Sequence, residues 1–135
     1  MKNSNANALY KVMRDFPYLC SWGLANKPLL KFYGHNLADL RKSLRNRFEE
    51  FQLCCEWLSM CEARKTINYK KEGSSYYLKH VVKGWAGKYI SNGVFIAAVI
   101  HCGLPYRGYD HSVNVHVGLS SRSQPIKASR NQLIF

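Results

Sequence analysis

The stretch "ISNGVFIAAVIHCGLP", Ile90 to Pro105, decides how the rest of the chain is arranged. Ser91 or Asn92 can cap a helix that starts here. After Cys102, Gly103 supplies a left-handed residue, Leu104 the accompanying apolar contact, and Pro105 forbids continuation. Between these signals the segment is apolar on nearly every side, which places the helix at the centre of a core. Gly93, Ala97 and Ala98 let a neighbour approach closely. The apolar run from Val94 to Leu104 is far shorter than the roughly twenty residues that span a bilayer, so no membrane anchor is expected.

Upstream, Gly73 with Ser74 or Ser75 starts another helix. Leu78, Val81, Val82 and Trp85 form its buried face, Lys79, His80 and Lys83 its outer face, and Gly87 its end. Two helices across a short turn have the spacing of a DNA-reading helix-turn-helix. In that motif the second helix must offer hydrogen-bonding side chains to base edges. Its reading positions here are Gly93, Ile96, Ala97 and Ile100, none of which can do so. The spacing is architecture, not a recognition helix.

Towards the N-terminus, Leu9, Val12, Met13 and Phe16 share one helical face, and Pro17 stops that helix. The segment from Tyr18 to His35 carries Gly23, Pro28 and Gly34 among aromatics and reads as a packed, irregular connection. Asn36 caps the next helix, with Asp39 in its first turn. Leu37, Leu40, Leu44, Phe48, Phe51, Cys55 and Leu58 then recur at three- and four-residue intervals. Unbroken to Ala63, this helix would be about 40 Å long, the spine of the fold. "SVNVHVGLS", Ser112 to Ser120, alternates like a half-buried strand, and "KTINY", Lys65 to Tyr69, is its expected partner. The expected fold is mainly α: a single domain over residues 1–135, a helical bundle of four or so helices with a small β element near the C-terminus. Residues 1–6 should be frayed and the tail from about 120 to 135 loosely ordered.

Twenty Lys and Arg against eight Asp and Glu leave a formal net charge of +12, which points first to an anionic partner such as DNA or RNA. "RKSLRNR", Arg41 to Arg47, holds four basic residues and no acid, and from Gly73 to Phe135 seven basic residues face a single acid, Asp110. The predicted phosphate-binding surface comprises Arg41, Arg45, Arg47, Lys70, Lys71, Lys79, Lys83 and Lys88, with aromatic side chains available for stacking. A solvated, solubilising face is the competing reading of the same charge. No zinc-finger spacing, RNA-recognition signature or phosphate-loop glycine pattern narrows the choice.

No secretory signal is read at the start, so a cytoplasmic location with reduced thiols is expected for the five cysteines. Cys54 and Cys61 lack the short gap usual in zinc sites, and neither a metal nor a cofactor is expected. A small metal-independent nuclease would have to draw on His35, His80, His101, His111 or His116, with nothing in the sequence fixing their mutual geometry. A protein-interaction module, as a homodimer or acting on a host protein, would use an apolar face of the helical core. The leading expectation is a non-enzymatic basic nucleic-acid-binding domain.

"KTIN" (Lys65 to Asn68), the stretch from Ser74 to Gly103 and "SVNVHVGLS" together resemble small uncharacterised proteins carried on bacterial mobile elements such as plasmids and integron gene cassettes. Their pattern runs Ser-Tyr-Gly-Leu-Lys-His, an acidic residue soon after, Tyr-Ile-Ser-Asn-Gly and an Ile-Ala-Ala helix. Here Tyr77 replaces the glycine and Lys83 falls near the acid's place. The resemblance implies a mobile-gene origin and no mechanism.

Overall fold

The computed structural model describes residues 6–122, 124 and 125. The fold is mainly α. Its centre is the helix read from the sequence, α6 (Asn92–His101), whose residues from Asn92 to Val99 are all buried. The Ser91 hydroxyl accepts from the Val94 N–H, and Gly103 takes the left-handed conformation at φ 76°. Against α6 pack α1 (Ala6–Asp15), α4 (Phe48–Ser59) and α5 (Ser75–Ala86). Leu9, Val12 and Met13 of α1, Phe51, Trp57 and Leu58 of α4, and Leu78 and Val82 of α5 share one core with it.

The neighbour that Gly93 admits is backbone. A short antiparallel hairpin of β1 (Leu19–Cys20) and β2 (Gly23–Leu24) lies so close that the Gly93 N–H donates to the Ser21 carbonyl at 3.1 Å. A methyl group on Gly93 would collide with the Cys20 carbonyl. After the hairpin, Asn26 caps α2 (Lys27–Tyr33), with Pro28 in its first turn. The segment expected to be irregular is therefore a hairpin and a helix. Proline early in a helix removes a donor that would be unpaired there anyway, so Pro28 starts this helix and does not break it.

The long helix expected from Leu37 to Ala63 is two helices, α3 (Leu37–Arg45) and α4, separated at Asn46 and Arg47. Arg47 leaves helical geometry at φ −104°, ψ 38°. Glu49 and Glu50 then occupy the first turn of α4, where negative charge offsets the helix dipole. Leu44 and Phe51 are buried on either side of the break, so the apolar stripe continues while the backbone does not. Glu50 also holds the joint together. Its carboxylate pairs with Arg47 at 2.7 Å and accepts from the Ser91 N–H at 3.1 Å, tying the start of α4 to the start of α6.

The strand is correct and its expected partner is not. β4 (Ser112–Val117) pairs antiparallel with β3 (Tyr106–Tyr109), with Tyr106 opposite Val117 and Arg107 opposite His116. A hairpin closed by the turn at Asp110 and His111 costs less loop-closure entropy than pairing with a segment some forty residues upstream. The "KTINY" region instead runs along the other edge of β4. The Arg64 N–H donates to the Gly118 carbonyl and the Asn68 N–H to the Val117 carbonyl. A single 3-10 turn, η1 (Lys71–Gly73), leads from there into α5.

Ala6 begins α1, and the rest of the expected frayed start lies outside the described residues, as does the tail beyond residue 125. The described part of the tail is anchored: the Ser120 N–H donates to the Glu62 carbonyl and Trp57 Nε1 to the Pro125 carbonyl. Among the described residues no helix is long and apolar enough to cross a membrane.

Candidate nucleic-acid interface

Helical spacing puts Tyr76, Lys79, His80 and Lys83 on one flank of α5. The Lys79 ammonium stands 5.4 Å from the centre of the Tyr76 ring and 5.4 Å from that of Tyr89, which comes from the connection between α5 and α6. The Arg47 guanidinium also stands over Tyr89, 5.3 Å from the ring centre. His80 meets the Tyr76 ring edge-on at 4.8 Å. Lys71 extends the row over Tyr77 at 6.0 Å, and a shallow hollow lined by Lys71, Tyr76, Tyr77 and His80 joins the two groups. Cations and tyrosines thus alternate along one strip, with Tyr76 and Tyr89 both more than half exposed.

Lys79 departs from its expected place on the outer face: it is only 9% exposed. Its stem covers apolar surface while the ammonium sits between two ring faces, an arrangement open to long amphipathic side chains. Among the described residues no carboxylate lies within ion-pair distance of it. Burial, then the Lys83 charge, lowers its pKa. Burial, then the Lys79 and Lys83 charges, likewise holds the His80 imidazole below its ordinary value. A base depressed in this way contributes stability that is present above the ordinary histidine range, near pH 6.5, and is lost as pH falls through the folded value. An NMR pH titration of His80 is expected to give a midpoint below that of a free imidazole. A midpoint at or above it would place the two lysines elsewhere.

The other predicted contact residues divide into three groups. Arg47, Lys71, Lys79 and Lys83 come together on the strip, with Lys70 beside Lys71. Lys88 is held at its edge in an exposed ion pair with Glu49 at 2.6 Å. Arg41 is engaged elsewhere: its guanidinium donates to the carbonyls of Met13, Phe16, Pro17 and Leu19 at 2.7–2.9 Å, closing the end of α1. Burial first, and neighbouring Arg45 next, lowers its pKa. With its donors committed to backbone, Arg41 is a structural residue, and exposed Arg45 lies beside it.

Beside the strip opens a cavity of about 390 Å³ bounded by the β1–β2 turn, α2, α5, the start of α6 and the β3–β4 turn. Trp22, Tyr33, Tyr76 and Tyr89 supply aromatic walls, and Lys79, Asn92 and His111 are among the polar groups. Trp22 meets Tyr33 edge-on at 5.1 Å and His35 at 4.1 Å. Asn92 is fixed by its amide, which donates to the Trp22 carbonyl at 2.8 Å and to Asn114 Oδ1 at 2.9 Å. Its own Oδ1 is buried with no donor.

The histidines are spread over the fold. His35 and His80 are on the aromatic faces just described, His101 lies against Phe51, and His111 and His116 flank the Tyr109 ring. The Tyr109 hydroxyl and His116 Nδ1 are hydrogen-bonded at 2.9 Å. All five cysteines are free thiols. Burial raises Cys54 and pushes Cys61 up to about 12, while a hydrogen bond with Cys102, then burial, raises Cys55. Such thiols stay protonated and are poor nucleophiles at neutral pH. Among the described residues no group of three His, Cys, Asp or Glu side chains could hold a metal ion.

Trp22, Tyr33, Tyr76, Tyr89 and Asn92 were not singled out by the sequence reading as members of a site. Tyr76 carries a local signal, being three residues before Lys79 on one helix. Trp22 and Tyr33 carry none, since only the packing of the β1–β2 hairpin and α2 brings them to α5. Compared with known proteins, the chain matches no family model, no curated protein and no solved structure.

Proposed function

We propose that this protein is a non-enzymatic, mobile-element-type domain that binds single-stranded nucleic acid along the strip from Arg47 to Lys71. The observation that carries this reading is the alternation Arg47, Tyr89, Lys79, Tyr76, His80 at ring-to-cation or ring-to-ring distances of 4.8–5.4 Å. Single strands expose base faces, and proteins that hold them without sequence preference combine aromatic platforms with a basic track. An interaction module built on the apolar face of α6 is disfavoured because that face is already covered. A nuclease is disfavoured because His80 is the one histidine on the strip and, among the described residues, the structure brings no second histidine beside it for paired acid and base work.

The experiment is fluorescence anisotropy of labelled single-stranded DNA and RNA across a salt series. With Arg47 already paired to Glu50, contacts by Lys71, Lys79 and Lys83 predict a log–log slope of about −2, at roughly 0.7 per neutralised phosphate on a single strand. Tyr76→Ala should weaken binding about tenfold with the slope unchanged, because it removes stacking and no charge. The Lys71→Ala, Lys83→Ala double variant should reduce the slope by about 1.4. Absence of binding at low salt, or binding indifferent to salt, would overturn the reading.

A further inference from the structure

We propose that the cavity beside Lys79 is a single-nucleotide subsite, taking one base against its aromatic walls and that nucleotide's phosphate at the Lys79 ammonium. It rests on the reading of the strip as a nucleic-acid interface and adds to it a defined place for one residue of the strand.

The walls of the cavity and its cation ask for two features of one ligand. Its volume of about 390 Å³ lies within the range of small-ligand sites. Trp22, Tyr33, Tyr76 and Tyr89 present ring surface on several sides, which suits a flat heteroaromatic ring. Lys79 is a nearly buried cation standing over two tyrosine rings with no carboxylate partner among the described residues, and ring quadrupoles offset only part of the cost of removing an ammonium from water. An anion completes that offset. Asn92 is 6% exposed and its Oδ1 has no donor, although its amide nitrogen is fully engaged. Rotating the amide would set oxygen against the Trp22 carbonyl, so the engaged amide holds Asn92 fixed in the wall.

A base joined to a phosphate supplies the ring and the anion together. Inorganic phosphate answers only Lys79, and an uncharged nucleoside leaves the ammonium uncompensated. Tyr76 and Tyr89 belong both to the strip and to the cavity wall, so a strand lying along the strip passes the mouth. One base can turn in there while its neighbours stack on Tyr76.

The test is titration of the ¹⁵N-labelled protein with nucleoside 5′-monophosphates, with inorganic phosphate and with uncharged nucleosides as separate arms. The monophosphates are expected to shift the Trp22 indole and Asn92 side-chain amide signals saturably. Each half alone should bind at least about tenfold more weakly, the loss expected when a charge-assisted contact is missing. Lys79→Met should weaken mononucleotide binding about tenfold. Tyr33→Ala, at an exposed position whose loss leaves the core intact, should do so through the wall alone and serves if the lysine variant does not fold. No saturable shift with any monophosphate, or phosphate alone binding as tightly as the nucleotide, overturns the subsite. Oligonucleotide binding without mononucleotide binding would sink the subsite and spare the strip. Mononucleotide binding without oligonucleotide binding would do the reverse.

Discussion

Arg41→Met is expected to lower the stability of the protein by about 3 kcal/mol, seen as a fall of roughly 10 °C in Tm by circular dichroism. The side chain donates to four carbonyls, those of Met13, Phe16, Pro17 and Leu19. Met13 lies in the last turn of α1, where carbonyls have no intrahelical partner, and the other three follow as the chain turns into β1. A hydrogen bond from a charged donor contributes about 1.5–3 kcal/mol, and four acceptors sharing one guanidinium contribute less than four such bonds. Methionine keeps the apolar stem and removes every donor. Lysine restores the charge but not the planar fork, so Arg41→Lys should recover little of the loss. The salt slope of oligonucleotide binding should stay unchanged in both variants at temperatures where they are folded. An unchanged Tm with a reduced slope would return Arg41 to the interface where charge clustering alone had placed it.

Gly93→Ala is expected to cost about 3 kcal/mol by the same measurement, although alanine is the better helix former by about 1 kcal/mol. The reason is the hairpin. An added methyl would collide with the Cys20 carbonyl and press on the Ser21 backbone, and neither is a flexible side-chain end that could swing aside. Relief requires α6 and β1–β2 to separate, which breaks the Gly93-to-Ser21 hydrogen bond and opens the core on both sides. Gly87 is the control. It ends α5 at φ 68° with nothing within 4 Å of an added methyl, so alanine there should cost only about 1 kcal/mol of backbone strain. Equal effects at the two glycines would show that close approach of the hairpin is not what Gly93 provides. Because Trp22 sits in the hairpin turn, Gly93→Ala should also weaken any ligand held in the cavity.

The helices that the sequence marked clearly are those whose signals lie within a turn or two of one another. The Leu9, Val12 and Met13 face, the Asn36 cap and the Gly103 stop appear as read; Phe16 falls just past the end of α1, and of the paired cap candidates Ser74 and Ser91 are the ones used. Such features depend on 3.6-residue periodicity and on side chains reaching their own backbone, so the chain carries them wherever it is placed. The break at Asn46 and Arg47 was hidden because the apolar stripe continues across it. Its local sign, the pair Glu49 and Glu50 at a helix start, is weak beside seven periodic apolar positions. The turn at Asp110 and His111 likewise outranked a distant strand partner on loop entropy, which alternation alone does not encode.

The candidate site was less legible. Net charge and the basic residues of α5 could be read directly, and so could the unsuitability of α6 for reading bases. Which cation meets which ring could not. Arg41 and Lys79 look alike in a list of charged residues, yet one closes a helix end and the other stands between two tyrosines. The order of residues by itself determined a basic, mainly helical chain with a central apolar helix, because burial preference and helical period are properties of neighbouring residues. Only the tertiary structure decided that Trp22, Tyr33, Tyr76, Tyr89 and Asn92 share one cavity. Their contacts join segments up to seventy residues apart, and they exist only once α6 has drawn the hairpin against it.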